Sequence, residues 1–179
     1  MAYGVVNADK MTTSDGVSSS GLYGFKNRII NPGMVIDQRN AGASVTSTSN
    51  PFTLDRWQAF GAPSAKYTVQ QNAGSVTPPA GFSKYLGITS SSAYTVTSGD
   101  YFFLTQHIEG FNVADLGFGA AGASTVTLSF WVRSSLTGSF GGSLANGAEN
   151  RSYPFTYTIS SANTWEQKTI TIDRYSITM

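Results

Sequence analysis

One segment of the chain alternates apolar and polar side chains without a break, and it constrains the fold more than any other feature. In residues 125–133, one parity carries Val126, Leu128, Phe130 and Val132. The other parity carries Thr125, Thr127, Ser129, Trp131 and Arg133. A period of two is typical of a β-strand with one buried face and one exposed face.

Other short segments suggest the same kind of element. The predicted strands lie at residues 34–39, 66–71, 85–89, 94–97, 101–108, 152–159 and 167–172. Residues 138–142 and 146–147 have the glycine and asparagine content of turns, and residues 112–115 suit one helical turn. Short strands at roughly ten-residue spacing predict an all-β fold, a β-sandwich.

The polar positions agree with this class. Serine and threonine supply 44 of the 179 residues, whereas charged residues make up only 12% of the chain. A soluble helix needs lysine, glutamate and similar residues on its wet face, so an all-helical protein is excluded.

Charge and hydropathy exclude several kinds of partner. A net charge of +1 provides no electrostatic footprint for nucleic acid. No apolar run approaches the length of a membrane span, and residues 1–10 lack the pattern of a secretory signal. Cysteine is absent, which rules out disulfides and thiolate chemistry.

The first 25 residues differ from the rest and are expected to form an N-terminal arm before a domain spanning residues 26–179. Residues 11–21 are rich in serine, threonine and glycine without periodicity. Apolar side chains flank this stretch, among them Tyr3, Val5 and Val6. Such an arm is either a flexible terminus or a segment that becomes ordered against a partner.

No catalytic or metal-binding constellation stands out, so the chain is not expected to be an enzyme or to need a cofactor. His107 is the only histidine and lies among strand residues. Asp100, Glu109 and Asp115 are close in sequence but occupy turn positions, where solvated carboxylates are common. No cluster of aspartates with calcium-binding spacing and no glycine-rich phosphate loop is present.

Carbohydrate recognition is better represented. It needs an aromatic face for the C–H groups of a sugar and polar side chains for its hydroxyls. Trp131 with Arg133, on the outward parity of the strongest strand, is the first candidate, and Tyr153 and Tyr157 are weaker ones. The alternative is that a second layer or a neighbouring subunit covers Trp131.

Several motifs resemble those of jelly-roll carbohydrate-binding modules. They occupy residues 27–34, 55–57, 84–89, 104–108, 126–133 and 163–172. The resemblance covers about residues 26–172 and implies a jelly-roll β-sandwich.

The sequence of residues 1–4, 27–42 and 150–157 resembles tail-fibre and other outer-surface proteins of tailed bacteriophages more closely still. This resemblance implies a virion structural protein, assembled in the host cytoplasm and displayed on the outside of the particle. Its arm, through Tyr3, Val5 and Val6, would dock onto other tail or capsid proteins, and the domain would contact host-surface polysaccharide. Two alternatives remain: a head-decoration protein that binds no sugar, and a carbohydrate-binding module of a larger enzyme.

The family also implies a homo-oligomer, most often a trimer. In phage proteins of this type the domain continues through further strands. Residues 173–179 do not match those strands, so the domain is expected to be either truncated or completed by the assembly. A missing strand would leave an unpaired edge, which favours association. Phe111, Leu116 and Phe118 lie in a glycine-rich segment too short to bury them all, and we expect them at a subunit contact.

Overall fold

A computed structural model of the chain describes residues 27–173. The chain divides into two compact units, Met1–Ile30 and Asn31–Met179, and the elements below all belong to the second. The predicted arm, with Tyr3, Val5 and Val6, lies outside the described residues.

The described part of the chain consists mostly of strands in antiparallel sheets, as the all-β prediction requires. The strands are β1 Val45–Thr46, β2 Gln58–Ala62, β3 Tyr67–Gln71, β4 Leu86–Ser90, β5 Tyr101–Thr105, β6 Val126–Val132, β7 Gly138–Ala145, β8 Ser152–Ile159 and β9 Glu166–Ile172. Between residues 27 and 173, helical structure is limited to α1 Gly110–Val113 and the 3-10 turns Ala73–Ser75 and Ala114–Leu116. The sheets have the orders β1-β3-β4, β2-β5, β6-β9 and β7-β8.

The strand predicted from the strict alternation is β6, and its two faces are as expected. Its residues alternate between half-buried and exposed from Val126 to Val132. It pairs with β9 in a register that places Leu128 opposite Ile170 and Phe130 opposite Lys168.

The inner face of β6–β9 lies against the β7–β8 hairpin. The rings of Phe130 and Tyr157 meet edge to face with centroids 5.0 Å apart, and Phe140, the cross-strand partner of Tyr157, stacks on it at 5.9 Å. Ile159 and Ile172 are fully buried. Aromatic contacts of this kind add about 0.5–1.5 kcal/mol beyond the burial of their area.

Residues 138–142, predicted to form turns, instead begin strand β7, so that prediction is wrong. Gly142 pairs with Phe155, and a Cβ atom at Gly142 would lie 2.5 Å from the Phe155 ring. The Phe155 ring therefore lies directly against the backbone of Gly142, where the side chain of any other residue would clash with it. Glycine here permits close packing rather than chain reversal.

A second core lies between β2–β5 and the sheet of β1, β3 and β4. Ala59 and Val69 have no exposed surface, and Phe102 and Leu104 pack against them. The Tyr67 hydroxyl lies 2.7 Å from the carbonyl oxygen of Phe60, and burial raises the pKa of this phenol. The core of this part of the chain is small, and polar contacts hold the loops around it.

The segment predicted as a strand at residues 34–39 is an irregular loop, because side chains satisfy its backbone. The Asn31 amide donates to the carbonyl oxygens of Ile36 at 2.8 Å and Asp55 at 3.1 Å, and its oxygen accepts from the Ile36 N–H at 3.0 Å. Asp37 accepts from the N–H groups of Asn40 and Gly42. The predicted strand at residues 94–97 is likewise a loop, and residues 31–34 form a turn in which the Met34 N–H donates to the Asn31 carbonyl oxygen.

Candidate functional site

The outer face of the β6–β9 pair carries the tryptophan that the sequence singles out. Trp131 is 38% exposed and stands directly opposite Gln167, which is also exposed. The remaining cross-strand pairs on this face are small and polar, Ser129 with Thr169 and Thr127 with Thr171. An aromatic ring among hydroxyl and amide groups can stack on a sugar and bind its hydroxyls.

Arg133 stands at the end of this face and is partly fixed. Its Nε donates to the carbonyl oxygen of Asn163 at 3.0 Å, in the loop before β9. Since a guanidinium carries five N–H donors, this bond leaves others for a ligand. Arg133 is half-buried and comes two residues after Trp131, beyond the end of β6 at Val132.

Tyr153 and Tyr157 lie elsewhere. Both belong to the half-buried parity of β8, and the Tyr157 ring contacts those of Phe130 and Phe140. Burial raises the pKa of Tyr157. The four predicted glycan-binding residues therefore do not form one surface, and the platform is the outer face of β6 around Trp131.

A cleft of about 330 Å³ beside β3, β4 and β5 was not found from the sequence. Its lining residues are Lys66, Tyr67, Ile88, Ser90, Ser92, Ala93, Tyr94, Val96, Phe102 and Phe103. The sequence signal was present, since residues 101–104 are apolar on both parities. That pattern indicates a strand buried on both faces, but Tyr101 and Phe103 are each 47% exposed.

Hydrogen bonds fix the aromatic wall of this cleft. The Tyr94 hydroxyl donates to Asp100 Oδ2 at 2.9 Å, and the Thr97 N–H donates to the same oxygen at 2.6 Å. The Thr97 bond, together with the Tyr94 hydroxyl and the charge of Lys66, holds the pKa of Asp100 below its usual value. The bond to Asp100 in turn raises the pKa of Tyr94. Lys66 Nζ lies 4.3 Å from the centre of the Tyr94 ring.

A second, smaller cavity of about 220 Å³ contains the histidine and one of the carboxylates considered as catalytic groups. Arg56 binds Glu109 Oε1 at 2.7 Å and donates to the carbonyl oxygen of His107 at 2.7 Å. Hydrogen bonds from the backbone of Glu109 and from Arg56 lower the pKa of this carboxyl. Glu109 is therefore held ionised at neutral pH, in an ion pair.

The predicted subunit-contact residues come after the strands of the aromatic cleft in the sequence. Phe111 lies on α1 and is 94% exposed, while Leu116 and Phe118 are half-buried. An almost fully exposed phenylalanine contributes no burial of apolar surface to the monomer. Its contact with another subunit remains a prediction.

Within residues 27–173, no group of three or more histidine, aspartate or glutamate side chains could hold a metal ion. In the same part of the chain, no helix is long and apolar enough to cross a membrane. No family model matches the chain, and no curated protein or solved structure is detectably similar to it.

Proposed function

We propose that this chain is a carbohydrate-contacting module of jelly-roll β-sandwich type, displayed on the outside of a bacteriophage virion as a tail fibre or surface appendage. The exposed Trp131 ring, opposite Gln167 on an otherwise small and polar sheet face, is the observation that carries the carbohydrate part of the proposal. The virion setting rests on the motif resemblance in residues 1–4, 27–42 and 150–157.

The layout of the β6–β9 face supports this function for a physical reason. A sugar ring has apolar C–H faces and polar edges, so it needs a flat aromatic surface with hydrogen-bonding groups beside it. Here Trp131 supplies the surface, while Gln167 and Arg133 supply an amide and a guanidinium. Threonine and serine keep the rest of the face low, which gives a polymer room to lie along the strands.

The jelly-roll part of the proposal is supported by the packing of β6–β9 against β7–β8. Two antiparallel pairs meet through Phe130, Tyr157 and Phe140, as the inner faces of a β-sandwich do. Two of the motifs that resemble jelly-roll modules, residues 126–133 and 163–172, contain β6 and β9.

The test is binding of the purified chain to bacterial surface polysaccharides, measured by affinity electrophoresis with wild-type protein and three variants. We expect Trp131→Ala to weaken binding about five- to tenfold, the equivalent of ~1–1.5 kcal/mol for a lost aromatic contact. Trp131→Phe keeps a ring and should retain most of the affinity. Thr127→Ala lies on the same face and is the matched control.

Two results would count against this function. If no surface polysaccharide slows the migration of the wild-type protein, the proposal of carbohydrate binding is wrong. If Trp131→Ala binds as tightly as the wild type, the platform around Trp131 is not the binding site. The virion setting is checked separately, by electron microscopy of particles labelled with antibody against this chain. Label on the outside of the particle is expected, and particles without label would contradict it.

A further inference from the structure

We infer that the cleft beside β3, β4 and β5 is a second carbohydrate site, which takes a sugar residue bearing a carboxylate. It lies on other strands than Trp131 and has a different chemistry. The inference depends on the proposed function only in assuming that the ligand is a polysaccharide.

The size and lining of the cleft suit one pyranose ring. Its volume of about 330 Å³ is at the small end of ligand pockets, and it is open rather than enclosed. Tyr94 and Phe103 present exposed rings, with Ile88 and Val96 beside them. Exposed aromatic faces in a shallow cleft can stack on the C–H groups of a sugar, and the Ser92 hydroxyl at the rim can bind its hydroxyls.

The aromatic wall is organised before any ligand binds. Asp100 holds the Tyr94 hydroxyl and the Thr97 N–H through one oxygen, which fixes the loop that carries the ring. The Tyr94 ring also meets Phe102 edge to face at 6.1 Å. A ring held in this way loses little conformational freedom on binding, so more of the stacking energy contributes to affinity.

Charge decides the class of sugar. Among the described residues that line the cleft, Lys66 is the one that carries a charge. Its ammonium rests 4.3 Å from the Tyr94 ring centre and, among the described residues, forms no hydrogen bond or ion pair. An ammonium has three donors, so a carboxylate on the ligand would meet available donors and an opposite charge there.

The experiment compares two probes with the same sugar backbone, tetragalacturonate with ionised carboxylates and its uncharged methyl ester, by titration calorimetry at low ionic strength. We expect wild-type protein to bind the acid about tenfold more tightly than the ester, the size of a charge-assisted hydrogen bond at a partly exposed site. Lys66→Met should abolish that difference, because it removes the ammonium and keeps an apolar stem. Lys84→Met, which changes the net charge equally but lies outside the cleft lining, should leave the difference intact.

Variants of the wall and of the other face separate this inference from the proposed function. Tyr94→Ala should weaken both probes, and Tyr94→Phe, which keeps the ring, should bind nearly as the wild type does. Urea unfolding of each variant identifies any loss of affinity that comes from misfolding.

Equal affinity of the wild-type protein for acid and ester would overturn the inference, and so would a preference that Lys66→Met leaves unchanged. Loss of all binding in Trp131→Ala, with Lys66→Met and Tyr94→Ala unaffected, would also overturn it while supporting the proposed function. Loss in the cleft variants, with Trp131→Ala unaffected, would support the cleft and leave the Trp131 platform without a role in binding this polymer.

Discussion

Replacing Asn31 by alanine is expected to destabilise the domain far more than the small number of atoms removed suggests. The side chain is buried in the loop before β1 and makes three hydrogen bonds, two as donor to the carbonyl oxygens of Ile36 and Asp55 and one as acceptor from the Ile36 N–H. Its backbone is left-handed, with a φ of 53°. Asparagine tolerates that conformation better than alanine does.

The expected cost follows from these contacts. Each hydrogen bond contributes about 1 kcal/mol net, so the three together contribute roughly 3 kcal/mol. The left-handed backbone adds about 1 kcal/mol for alanine relative to asparagine. A total of about 4 kcal/mol is a large part of the stability of a typical domain, which is roughly 5–15 kcal/mol.

Equilibrium unfolding in urea measures this cost, and Asn163→Ala is the matched control. Asn163 has nearly the same φ, 58°, but its side chain is exposed and makes no hydrogen bond among the described residues. Its replacement should therefore cost only the backbone contribution of about 1 kcal/mol. With a slope of about 2 kcal/mol per molar urea, the midpoint should fall by roughly 2 M for Asn31→Ala and by roughly 0.5 M for Asn163→Ala.

A third variant separates the two contributions at Asn31. Asn31→Gly removes the side-chain bonds but accepts the left-handed backbone, so it should be about 1 kcal/mol more stable than Asn31→Ala. Equal midpoints for Asn31→Ala and Asn163→Ala would refute the reasoning, because the hydrogen-bond network would then contribute nothing.

Three further predictions concern the core, the pH response and assembly. Phe130→Ala should cost about 2 kcal/mol in urea unfolding, whereas Thr127→Ala on the exposed face should change stability by less than about 0.5 kcal/mol; equal costs would contradict the facing of β6. The hydrogen bond from Lys168 lowers the pKa of Glu166, so the pair contributes stability above the unfolded pKa of about 4.3 and loses it as pH falls through the folded value. The melting temperature should therefore fall more steeply below about pH 4.3 in the wild type than in Glu166→Gln, and identical profiles would argue against the pair. Light scattering should show a homo-oligomer, and the family resemblance implies a trimer. Phe111→Ser should dissociate it, and a strictly monomeric wild-type protein would contradict this prediction.

Two of the predicted strands whose side chains alternate lie where the sequence placed them. Residues 152–159 form β8 with the predicted bounds, and β9 begins one residue before its predicted start. In both, the apolar parity faces a partner, so the pattern and the packing follow from the same cause. The strand β7 was missed because its glycines match a turn, and only the ring of Phe155 explains them.

The candidate sites divide in the same way. Trp131 could be identified because its exposure follows from strand parity alone. The cleft could not, since it joins Lys66 on one strand end to Tyr94 in a loop and to Phe103 on another strand. No local pattern encodes that meeting. Residues 94–97 alternate as a strand does, but they form a loop in which the Asp100 carboxylate, not a neighbouring strand, accepts the Thr97 N–H.

The pairing of β6 with β9 encloses the β7–β8 hairpin between them in the chain, which has a consequence for synthesis on the ribosome. The hairpin has both of its strands adjacent in sequence and can form as soon as it emerges. Strand β6 leaves earlier but has no pairing partner among the described strands until β9 follows. During that interval the edge of β6 that later pairs with β9 is open to solvent and to other nascent chains. Stalled chains that end before residue 166 should therefore be cut by protease within β6, and full-length chains should not.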